Sequence, residues 1–296
     1  MKKFLASAFT VAAAVFAPLP AMAQGDYPNK PIKFLIAFAP GGTSDAIGRL
    51  VATHLSKVLG QPVVPENRPG ATGTIGTAAA AKADPDGYTL LMASASSHYS
   101  AYLYPTVPYD IDKDFAPVSN LAVLPLYVVA RPDLPANNMG ELAALAKKNP
   151  GKITYASPGS GGAAHLATEL FKSATGADIL HVPYKGVAAG LTDIMGGRVD
   201  LIFDSVATSE PYVKSGKLKA LGIASAKRSS VVPNVPTISE TVPGFEATYW
   251  MGIFAPAKTP PAIVEKLNAE INCFTCICMW RVQTGRKHDD VKKCSL

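Results

Sequence analysis

From residue 30 onward, short apolar runs alternate with stretches whose apolar positions recur every three or four residues. The runs at 32–38, 62–65, 88–93, 118–130, 152–157, 179–182, 199–203, 218–224 and 248–255 predict strands. The periodic stretches predict helices over 45–59, 73–83, 138–148, 163–175, 187–196, 207–215 and 260–272. This alternation points to an α/β fold with mostly parallel strands. The last helix opens with Thr259 as N-cap and Pro260 and Pro261 in its first turn, and Ile263, Val264, Leu267 and Ile271 form its apolar stripe. Two apolar runs, Leu121 to Arg131 and Glu246 to Pro256, read as crossings between lobes. The expected division is then 24–124 plus 247–272 for lobe 1 and 125–246 for lobe 2, with a single large sheet as the other reading.

Two of the strands run into small glycine-rich turns that open directly into helices. One is Pro40-Gly41-Gly42-Thr43-Ser44-Asp45, and the other is Pro158-Gly159-Ser160-Gly161-Gly162 after Ser157. Each gathers free backbone N–H groups, small hydroxyls and the positive end of a helix dipole, which is an anion site. Gly41 and Gly42 permit close backbone approach, and Asp45 can accept N–H bonds in the first turn. The hydroxyls of Thr43 and Ser44 serve either a ligand or helix capping. Facing each other from two lobes, the turns could hold one small anion, which suggests capture of a solute rather than chemistry on it.

The N-terminus reads as an export signal. Lys2 and Lys3 precede an apolar stretch from Phe4 to Ala17, Pro18 and Pro20 end it, and Ala21-Met22-Ala23 offers a cleavage site after Ala23. The signal therefore spans 1–23 and places the protein in the periplasm. The formal net charge is +6, yet residues 24–272 carry 21 basic and 20 acidic side chains, so the body has no basic footprint for nucleic acid. All four cysteines, Cys273, Cys276, Cys278 and Cys294, fall in the final stretch, and their spacing is not that of a common zinc module. That stretch, 273–296, shows no sustained helical or strand period and reads as an atypical tail, altered or frameshifted.

Other chemistry is weakly marked. Gly159 to Ala164 matches the dinucleotide pattern G-x-G-x-x-A, but Asp178 lies at the wrong end of the next strand to hold a ribose. His98 falls in a polar loop, His165 follows the second glycine turn, and His181 alternates within a strand. Ser160, His165 and Asp204 can be imagined as a relay, though nothing in their spacing supports a triad. Asp204 ends a strand, where it accepts from a ligand, holds a water or caps the following helix. Lys185 pairs with a carboxylate or sits in solvent, and Asn67 to Gly73 forms a tight lead into a helix.

The ordered set of Ala39 to Asp45, Glu66 to Gly73, Ser157 to Gly162 with His165-Leu166, His181 to Gly186, and Gly196 to Asp204 resembles the Bug/TctC family of periplasmic solute-binding receptors for tripartite tricarboxylate transporters. The stretch from Val235 to Glu246, with Trp250, fits the same pattern, and the likeness runs from about residue 28 to 272. The resemblance implies a two-lobed Venus-flytrap fold, type II-like, each lobe a mostly parallel sheet flanked by helices, and no metal or organic cofactor. It implies that Gly42, Thr43 and Ser44 in one lobe, and Ser157, Ser160, Gly161 and Gly162 in the other, hold a ligand carboxylate, with Ser94, Tyr184 and Asp204 setting its distal end. The expected partners are a small organic carboxylate and the integral membrane permease subunits, with the receptor itself a monomer and not an enzyme. A periplasmic sensor and a hydrolase using Ser160 and His165 are the alternatives. The tail departs from the family, where further helices are expected to complete lobe 1.

Overall fold

The computed structural model describes residues 27–284; the expected export signal, 1–23, and the tail from 285 onward lie outside the described residues. The chain first forms β1 (Ile32–Ile36), α1 (Thr43–Leu59), β2 (Val63–Asn67), a 3₁₀ turn (Ala71–Gly73), α2 (Thr74–Ala81), β3 (Thr89–Ser94), α3 (Ala95–Leu103) and β4 (Phe115–Pro125). It continues through β5 (Tyr127–Ala130), α4 (Met139–Lys148), β6 (Ile153–Ser157), α5 (Ala163–Thr175), β7 (Ile179–Pro183), α6 (Val187–Met195), β8 (Leu201–Asp204), α7 (Val206–Lys214) and β9 (Lys219–Ile223). It returns as β10 (Thr248–Pro256) and α8 (Pro261–Thr284).

These strands make two five-stranded sheets, ordered β2-β1-β3-β10-β4 and β7-β6-β8-β5-β9. In the first, β1 is parallel to β2 and β3, while β10 is antiparallel to both β3 and β4. In the second, β6 is parallel to β7 and β8, while β5 is antiparallel to β8 and β9. The reversed strand of each lobe is the one that enters from the other lobe. At the crossing, the Leu126 N–H donates to Ala247 O (3.1 Å), the Ala224 N–H donates to Leu126 O (2.7 Å), and the Ala247 N–H donates to Ala224 O (2.9 Å). Three chain segments are thereby clasped at one point.

Both faces of each sheet are buried, so the strands read as continuous apolar runs. Phe34 and Ile36 pack with Val51, Leu55, Leu90 and Leu267 on one side of the first sheet, while Leu35 and Ala37 pack with Leu91, Tyr109 and Phe115 on the other. In the second sheet, Tyr155, Phe171 and Phe203 share one core, and Tyr127, Ala156, Leu191 and Ile202 share the opposite one.

Four sequence expectations need correction. The single strand over 118–130 is two, because the Leu126 peptide bonds to Ala247 and Ala224 where the chain changes partners. The polar loop around His98 is α3; its inward face is made of serines, with Ser96, Ser97 and Ser100 buried, so it carries no apolar stripe. Thr259 does not cap α8: the Pro260 carbonyl accepts from Ile263 (2.9 Å) and Val264 (3.2 Å), and the buried Thr259 hydroxyl has no hydrogen-bond partner. Finally, the change of composition at Cys273 does not end the helix, since α8 runs on to Thr284. Ile271 is fully buried, and the Phe274 ring lies 4.9 Å from that of His54 on α1.

This docking of α8 is testable. Ile271→Ala should lower the unfolding free energy by about 2–5 kcal/mol in a urea titration, as truncation of a buried aliphatic side chain does. An unchanged midpoint would show that this end of α8 is not packed in solution.

Candidate functional site

The two glycine turns share one construction. Gly41 (φ 82°) and Gly161 (φ 79°) take the left-handed conformation that glycine adopts without strain. That conformation turns each amide toward the helix that follows: Gly41 N–H donates to Asp45 Oδ2 (3.0 Å), and Gly161 N–H donates to His165 Nδ1 (3.1 Å), each four residues on. The next residues, Gly42 and Gly162, are the N-caps of α1 and α5 and provide no side-chain cap. Gly73 and Gly186 start α2 and α6 in the same uncapped way. Ser94 and Ser205, by contrast, cap α3 and α7 with their own hydroxyls. Glycine therefore leaves first-turn amides open where serine would occupy them.

These helix starts surround a cavity of about 600 Å³ between the lobes. Of the residues singled out from the sequence, Gly42, Thr43, Ser44, Ser94, Ser160, Tyr184 and Asp204 line it, whereas Gly41, Ser157, Gly161 and Gly162 do not. Several of these hydroxyls already have partners. Thr43 Oγ1 lies 2.6 Å from Ser205 Oγ, across the cleft, and Ser44 donates to Met251 Sδ (3.4 Å). Tyr184 donates to Asp193 (2.7 Å), and Ser157 Oγ bonds Gly159 O (3.0 Å) and His181 Nε2 (2.6 Å) behind the turn. Lys185 stands exposed at the rim and has no ion-pair partner among the described residues.

Further lobe-to-lobe bonds come from side chains to which the sequence assigned no role. Thr72 Oγ1 (2.6 Å) and Tyr104 OH (2.9 Å) both donate to the Ser160 carbonyl, and Ala163 N–H donates to Ser96 Oγ (3.2 Å). Thr72 holds φ 56° and its neighbour Ala71 φ 43°, a left-handed pair of non-glycine residues at the cavity wall. Tyr249, on the returning strand, also lines the cavity, and burial pushes its phenol up to about 12. Position on a crossing strand is the sequence signal that would have found Tyr249; nothing in the local pattern distinguishes Thr72 or Tyr104.

The two acids of the site differ in state. Burial pushes the Asp45 carboxyl up, but bonds from Arg49 (2.9 Å), Gly41 N–H and Asn67 (2.9 Å) outweigh it and hold it below the usual range. Asp204 is buried without a cation, so its carboxyl is pushed up despite hydrogen bonds from Thr208 and Ser209 (2.5 Å). His165 is tied to Gly161 and lies against His181, the rings tilted by 36° with centroids 4.4 Å apart. The bonds of Ser160, His165 and Asp204 thus form no relay. Among the described residues there is no metal-holding group of His, Cys, Asp and Glu, and no helix long and apolar enough to cross a membrane.

A raised carboxyl means that protonation favours the native state, so stability is lost as pH rises through the folded value. Asp204→Asn removes that loss. Its unfolding free energy relative to wild type should therefore increase as pH is raised above about 4 in urea titrations. A pH-independent difference would show an Asp204 with ordinary titration.

Compared with known proteins, residues 47–275 match the family model for the tripartite tricarboxylate transporter family receptor. The solved periplasmic binding protein BugD is 38% identical, with a TM-score of 0.78 over 83% of this chain and 82% of that one. A protein from R. palustris solved with adipate is 37% identical, with a TM-score of 0.82 over 84% of each chain. MatC from Rhodopseudomonas palustris with bound malate is 35% identical, with a TM-score of 0.79 over 83% of this chain and 84% of that one.

Proposed function

The chain belongs to the tripartite tricarboxylate transporter receptor family, and on that premise we propose that it is a periplasmic receptor closing its two lobes around a small organic carboxylate. The observation that carries the reading is the cavity ringed by uncapped, glycine-started helices from both lobes. Amides of two helix N-termini neutralise one carboxylate without a buried cation. Lys185 at the rim stands where a second carboxylate of the ligand would emerge. The adipate and malate held by the two R. palustris proteins make dicarboxylates the first class to test. In this reading the export signal is cleaved after Ala23, the receptor acts as a monomer without a cofactor, and the closed form is what the permease subunits recognise. The ligand shifts the hinge equilibrium because only the closed form lets it touch both lobes.

Calorimetric titration with adipate and malate tests capture. Saturable binding by either acid supports the reading, and cooperative unfolding without binding of either overturns the dicarboxylate class. Closure is tested separately with Gly186→Ala. The added Cβ would lie 2.9 Å from Ala39 Cβ in the opposite lobe, so the clash exists only when the lobes meet. Gly186 itself is extended at φ 174°, which alanine adopts freely. The expected result is an affinity loss of about tenfold or more, equal to roughly 1.4 kcal/mol, with an unchanged melting temperature in the absence of ligand.

A further inference from the structure

Behind the second glycine turn stands a stack of three rings. Tyr155 and His181 have centroids 4.8 Å apart at 20°, and His181 and His165 are 4.4 Å apart at 36°. Both imidazoles end on the turn. His165 Nδ1 accepts the Gly161 N–H (3.1 Å), and His181 Nε2 meets Ser157 Oγ (2.6 Å). Ser157 Oγ also donates to Gly159 O (3.0 Å) and accepts from Gly159 N–H (3.2 Å). A hydroxyl has one proton to give, so His181 is the donor in its bond to Ser157. The two rings thus hold the turn in complementary ways: His181 donates a hydrogen bond to it, and His165 accepts one from it.

We propose that His165 and His181 are positioning residues for the anion site, and that the second turn is set for its ligand only while His165 is neutral. The inference rests on the carboxylate-receptor reading. The first turn supplies the comparison within the same molecule. There Asp45 fills the position of His165, four residues after the turned glycine, and its carboxylate is held ionised by Arg49 and Asn67. One turn is therefore latched by a group that stays an acceptor, and the other by a group that stops accepting once Nδ1 is protonated. A protonated Nδ1 would set two donors face to face and withdraw Gly161 from its place, displacing the start of α5.

The groups around the stack set the pH range. Burial lowers both imidazoles below their ordinary 6.5, and the His165 charge helps to push His181 down to about 4. Glu169 on α5 opposes this, but it is engaged by Lys172 (2.9 Å) and the Tyr155 hydroxyl (2.7 Å). Because the ordered turn depresses the imidazoles, protonation disfavours it, and affinity should fall as pH drops below about 6.5 rather than as it rises.

The test compares the full chain with His165→Asn, whose Oδ1 occupies the place of Nδ1 but does not titrate. Adipate and malate are titrated between about pH 7.5 and about pH 5, so that ligand ionisation is common to both proteins. With each protein's affinity referred to its own value at the upper end, the expected result is that the wild type loses about fivefold to tenfold more than the variant at the lower end, the scale of one hydrogen bond. His165→Leu, with no acceptor, should bind weakly across the range. Parallel pH profiles for wild type and His165→Asn would overturn the proposal. The Gly161 amide resonance gives a readout that needs no ligand: it should follow an imidazole titration in the wild type and stay flat in His165→Asn. If neither acid binds, the dicarboxylate class fails, while an amide that ignores pH rejects the latch independently.

Discussion

Everything at the cleft depends on an amide being turned away from it. At Gly41 and Gly161 a positive φ sends the N–H toward a side chain four residues later, and this bond is what makes room for the open amides that follow. An L-residue with a Cβ would resist that conformation, and at Gly161 the Cβ would also meet Leu103 at 2.9 Å. With the turned amide satisfied internally, α1 and α5 have no side-chain cap from their own N-cap residues; Ala163 N–H takes Ser96 Oγ from the other lobe, and the remaining first-turn amides need an outside acceptor. The sheets serve this arrangement by delivering strand ends to the cleft, and their two-sided apolar packing keeps the turns in place.

Charge is used sparingly in the cavity. Its lining includes one lysine, at the rim, and one buried aspartate whose carboxyl is pushed toward neutrality. A full cation beside the ligand would bind an anion more strongly but would also carry a large desolvation cost when the lobes close. Helix dipoles and amides are partial charges already fixed by folding, so closure reorganises little. In the proposed receptor, this form of recognition would specify a carboxylate and leave the remainder of the ligand to the cavity wall, which includes Phe203, Leu126 and Tyr249.

The parts of the fold read from the sequence are those governed by local rules. Apolar runs placed the strands within a few residues, and the Pro-Gly and Gly-Gly turns marked two of the helix starts that border the cavity. What escaped was set by tertiary context. The helix α3 hides behind serines that bury themselves through Ser100 to Ser96 O (2.9 Å) and Tyr109 to Ser97 O (3.0 Å), bonds that no hydrophobic period records. Thr72 bonds Ser160 across 88 positions of sequence, and Thr43 reaches Ser205 across 162. The hydroxyl of Thr43, read as a ligand contact, is in the structure part of a lobe-to-lobe bond.

That last point changes how closure energy divides. Thr43–Ser205, Thr72–Ser160, Tyr104–Ser160 and Ala163–Ser96 all join the lobes directly, and each such bond is worth about 0.5–1.5 kcal/mol net of the water it replaces. Together they stabilise the closed form whatever the ligand is, so they raise affinity for every acid that fits and discriminate among none. In the proposed receptor, discrimination would have to come from groups that touch only the ligand, for which the open first-turn amides, Lys185 and the apolar wall are the candidates. The carboxylate end would be dictated there by backbone geometry, which the bonds of Gly41 to Asp45 and Gly161 to His165 hold independently of what lies at the other end of the cavity.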